Sequence, residues 1–177
     1  MSLEDLSARL PDYAADIETN LARQLADATL SDQQKWGCFL ACAVALGEAH
    51  VLNAVSEEAS RRLTVDAQVA AKIAAATMAM NTVYFGSANL LANRDYRGEP
   101  HQLVMAAQSG VGVDKVDFEL WALAVSALTN CETCLNTHDA ELRRHGAPME
   151  VVLAALRIAA VVNAASVVLR AEQGPSA

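Results

Sequence analysis

Residues 64–91 read TVDAQVAAKIAAATMAMNTVYFGSANLL. Thr64 places a hydroxyl ahead of the first apolar residue and Asp66 puts an acid in the first turn, a helix start. The stretch beyond them is rich in alanine, the best helix former, and shows no strand-like alternation. Lys72 splits the apolar run, which therefore falls short of the ~18 uninterrupted apolar residues of a membrane span. One long helix is expected here, ending near Leu91.

The neighbouring segments have the same character. Upstream, Ser2 is expected to cap a short helix that Pro11 interrupts, and a second runs from Asp12 to about Ala28. Ser31-Asp-Gln-Gln34 has the spacing of a capping box and opens a helix through Trp36, Leu40 and Val44, weakened at Gly47. Another covers about 51–63. Downstream, residues 93–100 (NRDYRGEP) form a polar loop with Gly98 and Pro100 as breakers. A short helix is expected over 101–107 and a turn at Ser109–Gly112. A helix comes next, from Lys115 to Leu128. Thr129-Asn-Cys-Glu132 reads as a second capping box, opening a helix that ends at Gly146. Pro148 suits the first turn of a last helix ending near Glu172, with residues 174–177 a disordered tail. The fold class is all-α, an Ala-rich helical bundle.

At 177 residues the chain can bury a sizeable core as one domain. Hydrophobic residues make up 53% but aromatics only 5%, so Ala, Val and Leu must build that core. The net charge of -8 excludes the basic stripe that nucleic acid requires, and anionic membranes are poor partners. The opening MSLEDLSARLPDY lacks a signal peptide's basic and apolar regions, and the chain is read as cytoplasmic.

At a single offset of 85 residues, Trp36 falls on Trp121, Asp32 on Asp117, and Lys72-Ile-Ala-Ala75 on Arg157-Ile-Ala-Ala160. This implies an internal duplication of a helical unit, with one half at about 1–92 and the other at about 101–173. In this frame Cys131, Cys134 and His138 lie over Leu46, Ala49 and Asn53, so only the second half carries reactive residues.

The four cysteines fall as Cys38 with Cys42 and Cys131 with Cys134. The first pair lies mid-helix among apolar residues (GCFLACAVAL) and reads as buried packing. The second is a C-x-x-C, which has three ordinary readings: zinc ligation, redox chemistry or packed thiols. Placed on a helix, Cys131, Cys134 and His138 share one face, within reach of each other. The first turn's free N–H groups and an imidazole four residues on both favour a thiolate. A second pair of ligands for structural zinc is missing, which weights the pair toward redox chemistry.

Glu119, in VDFELW (116–121), could fold back toward the pair if the helix breaks at Thr129-Asn130. Alone, a helix carboxylate such as Glu119, Asp117 or Glu141 reads as a solvated surface group. His145 reads as a favourable helix C-terminal charge, and His50 and His101 as structural.

Glu119, Cys131-Glu-Thr-Cys134 and His138, with Trp121 beside the glutamate, resemble the alkyl hydroperoxidase D family of the carboxymuconolactone decarboxylase-like superfamily. The similarity extends to Leu6–Leu21 and Trp36-Gly37. The resemblance implies a duplicated all-helical fold assembled as a homotrimer or larger. It also implies a thiol-dependent alkyl hydroperoxide reductase, acting on organic hydroperoxides and, in some members, re-reducing a partner peroxiredoxin. No bound cofactor or metal is implied. Electrons would come from an external dithiol, dihydrolipoamide held by a lipoyl protein. Cys134 would attack the peroxide, Cys131 would resolve the product, and His138 with Glu119 would relay protons. Where some members carry a histidine before the later cysteine, Thr133 stands here. Two other readings fit the same residues: a thiol–disulfide adaptor with little peroxidase activity, and a non-redox helical binding protein.

Thiolate activation alone gives little. Lowering a thiol pKa from ~8.5 to ~7 raises the ionised fraction at pH 7 roughly 16-fold. The matching loss of nucleophilicity is roughly fivefold, so the net gain is about threefold. Positioning and protonation of the departing alkoxide must supply the rest.

Overall fold

The computed structural model describes residues 3–108 and 112–173. Among them are eight α-helices and no strand: α1 (Leu3–Ser7), α2 (Ala15–Ala26), α3 (Asp32–Leu46), α4 (Ala49–Arg62), α5 (Val65–Leu90), α6 (Lys115–Leu128), α7 (Glu132–Arg144) and α8 (Met149–Glu172). The fold is all-α, as the sequence predicts.

Local chemistry sets most boundaries. Ser31 Oγ accepts from the Gln34 N–H while Gln34 Oε1 accepts from the Ser31 N–H, so the α3 capping box forms in full. Gly47 ends that helix at φ 64°. Thr64 Oγ1 caps α5 by accepting from the Ala67 N–H at 3.1 Å. Glu48, which is buried, caps α4 through the N–H groups of His50 and Val51.

α3 is the hub. Cys38, Phe39, Ala41, Cys42 and Ala43 are wholly buried, and the helix packs against α4, α5, α6 and α8. Small side chains let these helices approach closely from several sides. At Gly37 there is no room for a side chain, because the buried Trp121 ring of α6 occupies the space a Cβ would take. α8 has a mean hydropathy of 2.2 over its most apolar window, enough by length and composition to cross a membrane. Here Ala154, Ala155, Ile158, Ala159, Val162 and Leu169 bury against α2, α3, α4 and α6, and Arg157 pairs with Asp27 at 3.3 Å. It is a core helix.

Three expectations need correction. Residues 101–105 are not helical: Gln102 takes φ 52°, and His101 Nδ1 accepts the Leu103 N–H at 3.0 Å, a local bond that competes with a helical turn. Only a single 3-10 turn forms, at Ala106–Gln108. Residues 12–14 are likewise a 3-10 turn ahead of α2. Asp117 is not a surface acid; it is buried at the α3–α6 contact and accepts from Gln33 Nε2 at 2.6 Å. The expected cap at Ser2, most of the turn at Ser109–Gly112 and the tail 174–177 lie outside the described residues.

Candidate functional site

The turn between α6 and α7 builds the site. Asn130 adopts φ 51°, the left-handed region that asparagine tolerates better than most side chains. The Asn130 N–H donates to Ala127 O and the Cys131 N–H to Ser126 O, so the last carbonyls of α6 are satisfied by a Schellman motif. Cys131 then becomes the N-cap of α7, its sulfur accepting the Cys134 N–H at 3.4 Å. The N-cap thus falls two residues later than the predicted Thr129. That hydroxyl turns back to Ser126 O at 3.2 Å, closing α6 instead.

The two sulfurs are neighbours, both cysteines are buried, and both are free thiols. Burial first, and then the hydrogen bond and negative charge offered by Cys131, push the Cys134 thiol up to about 12. The expectation that helix N-terminus and imidazole would make this sulfur acidic does not hold. The place where helix N–H groups gather partial positive charge is taken by Cys131.

The break at Thr129-Asn130 brings Glu119 back along α6 to α7, where its Oε2 lies 2.7 Å from His138 Nδ1. Both side chains are largely buried. His138 does not turn its second nitrogen to Cys134: Nε2 lies 3.1 Å from Met78 Sδ on α5.

Cys134, His138 and Glu119 share the wall of a cavity of about 900 Å³. Met78 and Phe85 of α5, Met105 and Val113 of the 91–114 connection, and Phe118 of α6 make its apolar part. Thr133, where some relatives were expected to have histidine, lines it too. Cys131 is not among the described lining residues; it sits against α5, where a Cβ on Gly86 would come within 3.6 Å of its sulfur.

At the rim, Glu141 pairs with Lys115, with Arg144 and with His145, and its carboxyl is held down to about 2, chiefly by hydrogen bonds from Arg144 and Lys115. It is an ion-pair hub rather than a free surface acid. His101 meets Phe85 edge-on, with ring centroids 5.5 Å apart. Cys38 and Cys42 are wholly buried and their thiols are pushed up by burial, Cys42 to about 12. Among the described residues no group of three or more His, Cys, Asp or Glu could hold a metal ion.

Sequence reasoning missed Met78 and Asn81. Asn81 Nδ2 donates to Met105 Sδ at 3.3 Å, while its buried Oδ1 has no partner among the described residues. A methionine on an alanine-rich helix reads as core, and nothing in the local sequence ties it to His138.

A family model described as the carboxymuconolactone decarboxylase family matches residues 101–173. Over nearly its whole length the chain is similar to proteins named alkyl hydroperoxide reductase AhpD. The one from Hyphomonas neptunium is 51% identical over 97% of this chain and 96% of its own. That from Maricaulis maris is 48% identical over 97% and 99%, and that from Brucella suis 43% over 97% and 98%.

Proposed function

The chain belongs to the alkyl hydroperoxide reductase AhpD family, and from that premise we propose that it reduces organic hydroperoxides through the Cys131–Cys134 pair. As a family member it is a peroxidase-type oxidoreductase. The observation that carries the cysteine reading is that Cys134, His138 and Glu119 line one cavity, with the Cys131 side chain within hydrogen-bond reach of the Cys134 thiol.

As peroxide enters, Cys134 gives up its thiol proton to water. Cys134 thiolate attacks the distal peroxide oxygen; an S–O bond forms, the O–O bond breaks, and an alkoxide leaves. His138, backed by Glu119, supplies the alkoxide's proton. The Cys131 thiol then attacks the sulfenic acid, its proton leaving with the hydroxyl as water, and the disulfide forms. A dithiol returns two electrons and two protons. Both cysteines are thiols again, and the proton that Cys134 gave to water returns to the His138–Glu119 pair.

Dihydrolipoamide is the proposed reductant, and a peroxiredoxin disulfide a further acceptor of the same electrons. Self-association is proposed through exposed apolar residues near the end of α5 and after it, Val83, Leu90, Leu91 and Val104. The test is steady-state reduction of an alkyl hydroperoxide with dihydrolipoamide, comparing wild type with Cys134→Ser and Cys131→Ser. Both variants should lose turnover. Normal turnover by Cys134→Ser would refute the proposal. Negligible turnover by wild type, with a trapped mixed disulfide from either variant, would establish the adaptor reading instead.

A further inference from the structure

The protons on the Glu119–His138 pair can be counted from its neighbours. His138 Nδ1 lies 2.7 Å from Glu119 Oε2, and Nε2 lies 3.1 Å from Met78 Sδ. A thioether carries no hydrogen to donate, so a contact this close is favourable only if the ring nitrogen brings the proton. Nε2 therefore bears a hydrogen. A second proton is shared between Nδ1 and Glu119, as imidazolium with carboxylate or as imidazole with carboxylic acid. Either way the pair holds two protons and no net charge.

Met78 is itself held in place. It is 2% exposed, and Ser126 Oγ touches the same sulfur at 3.4 Å. A hydroxyl has one hydrogen, and the Ala122 carbonyl takes it at 2.8 Å. The sulfur is left to accept from the imidazole.

We propose that Met78 is a positioning residue for hydroperoxide reduction: its thioether holds the His138 Nε2–H at the wall of the cavity that Cys134 also lines until the departing alkoxide takes that proton. The inference rests on the reductase reading. Its chemical logic is the contrast between acceptors. A thioether sulfur is a weak acceptor, whereas an alkoxide is a charged and strong one. The proton is thus oriented without being trapped, and it changes partner when the O–O bond breaks and oxygen acquires charge. The pair then keeps one proton and regains the other when a dithiol reduces the disulfide.

The test uses two peroxides that differ in their need for that proton. Tert-butyl hydroperoxide expels an alkoxide, whereas peracetic acid expels a stable carboxylate. In the full-length chain, Met78→Leu keeps the apolar volume and removes the acceptor. It should slow single-turnover reduction of tert-butyl hydroperoxide roughly tenfold, part of what a general acid contributes, and of peracetic acid less than about twofold. Met78→Gln, whose amide oxygen can accept from Nε2–H, should recover part of the loss. Equal slowing of both peroxides would overturn this inference alone. Wild type that reduces neither would overturn the reductase reading and this inference with it. Nitrogen-15 spectra of the histidine rings in the reduced, resting protein give a readout without turnover. Nε2 of His138 should be protonated, with its hydrogen exchanging faster in Met78→Leu; a bare Nε2 in wild type would refute the proposal.

Discussion

Replacing Gly37 with alanine should damage both the fold and the site. A Cβ at Gly37 would stand 2.0, 2.2 and 2.3 Å from Cε2, Nε1 and Cζ2 of Trp121, where ordinary contact begins at 3.4 Å. The indole cannot yield easily. It is wholly buried, and its N–H donates to Gln34 O at 3.1 Å. Either α3 and α6 separate or the ring turns. Overpacking of this kind costs ~1–3 kcal/mol. An indole N–H left buried and unpaired adds ~1–3 kcal/mol. The better helix propensity of alanine offsets about 1 kcal/mol. The net loss is about 1–5 kcal/mol, or roughly 2–20 °C in Tm for a chain of this size. Glu119 precedes Trp121 by two residues on α6, so the same displacement pulls its carboxylate from His138. Urea unfolding followed by tryptophan fluorescence, with peroxide kinetics well below the midpoint, measures both effects. A loss under about 0.5 kcal/mol with unchanged kinetics would refute the packing argument.

Glu119→Gln leaves His138 without a carboxylate to share its second proton. Reduction of alkyl hydroperoxides should fall about 100-fold while iodoacetamide alkylation of Cys134 changes less than about twofold; unimpaired reduction would argue against the relay. Asn81→Leu removes a buried acceptor that has no partner among the described residues, so denaturant stability should be unchanged or higher by about 1 kcal/mol, and a clear loss would show that the amide is satisfied in solution. The Cys42 thiol keeps its proton until about 12, whereas an unfolded thiol ionises near ~8.5. Its contribution to stability is therefore complete below pH ~8.5 and is lost as pH rises toward 12, at ~1.4 kcal/mol per pH unit. Cys42→Ala should flatten alkaline unfolding by that slope, and an identical slope would contradict the burial of this thiol.

Fold class and most helix ends are legible in the sequence because their signals are local. Ser31, Thr64 and Gly47 act through bonds or dihedrals within a few residues, and alanine content marks the helices themselves. The start of α7 escapes such reading because Cys131 fills a position where Ser, Thr, Asp or Asn is expected, while Thr129 closes the preceding helix. Residues 101–105 mislead because a side-chain bond from His101 replaces a helical one. Spacing finds the site's reactive residues but not their electrostatics. The burial that raises the Cys134 thiol is set by how α5, α6 and α7 pack. Met78 is invisible for the same reason: its partner His138 lies sixty positions away, and only the α5–α7 contact joins them.

The most direct test of the central claim is to add one equivalent of an alkyl hydroperoxide to the fully reduced protein and map its peptides without reduction. Two of the four thiols should disappear as a single Cys131–Cys134 disulfide, with Cys38 and Cys42 still free. Four surviving thiols, or a disulfide joining any other pair, would contradict the mechanism.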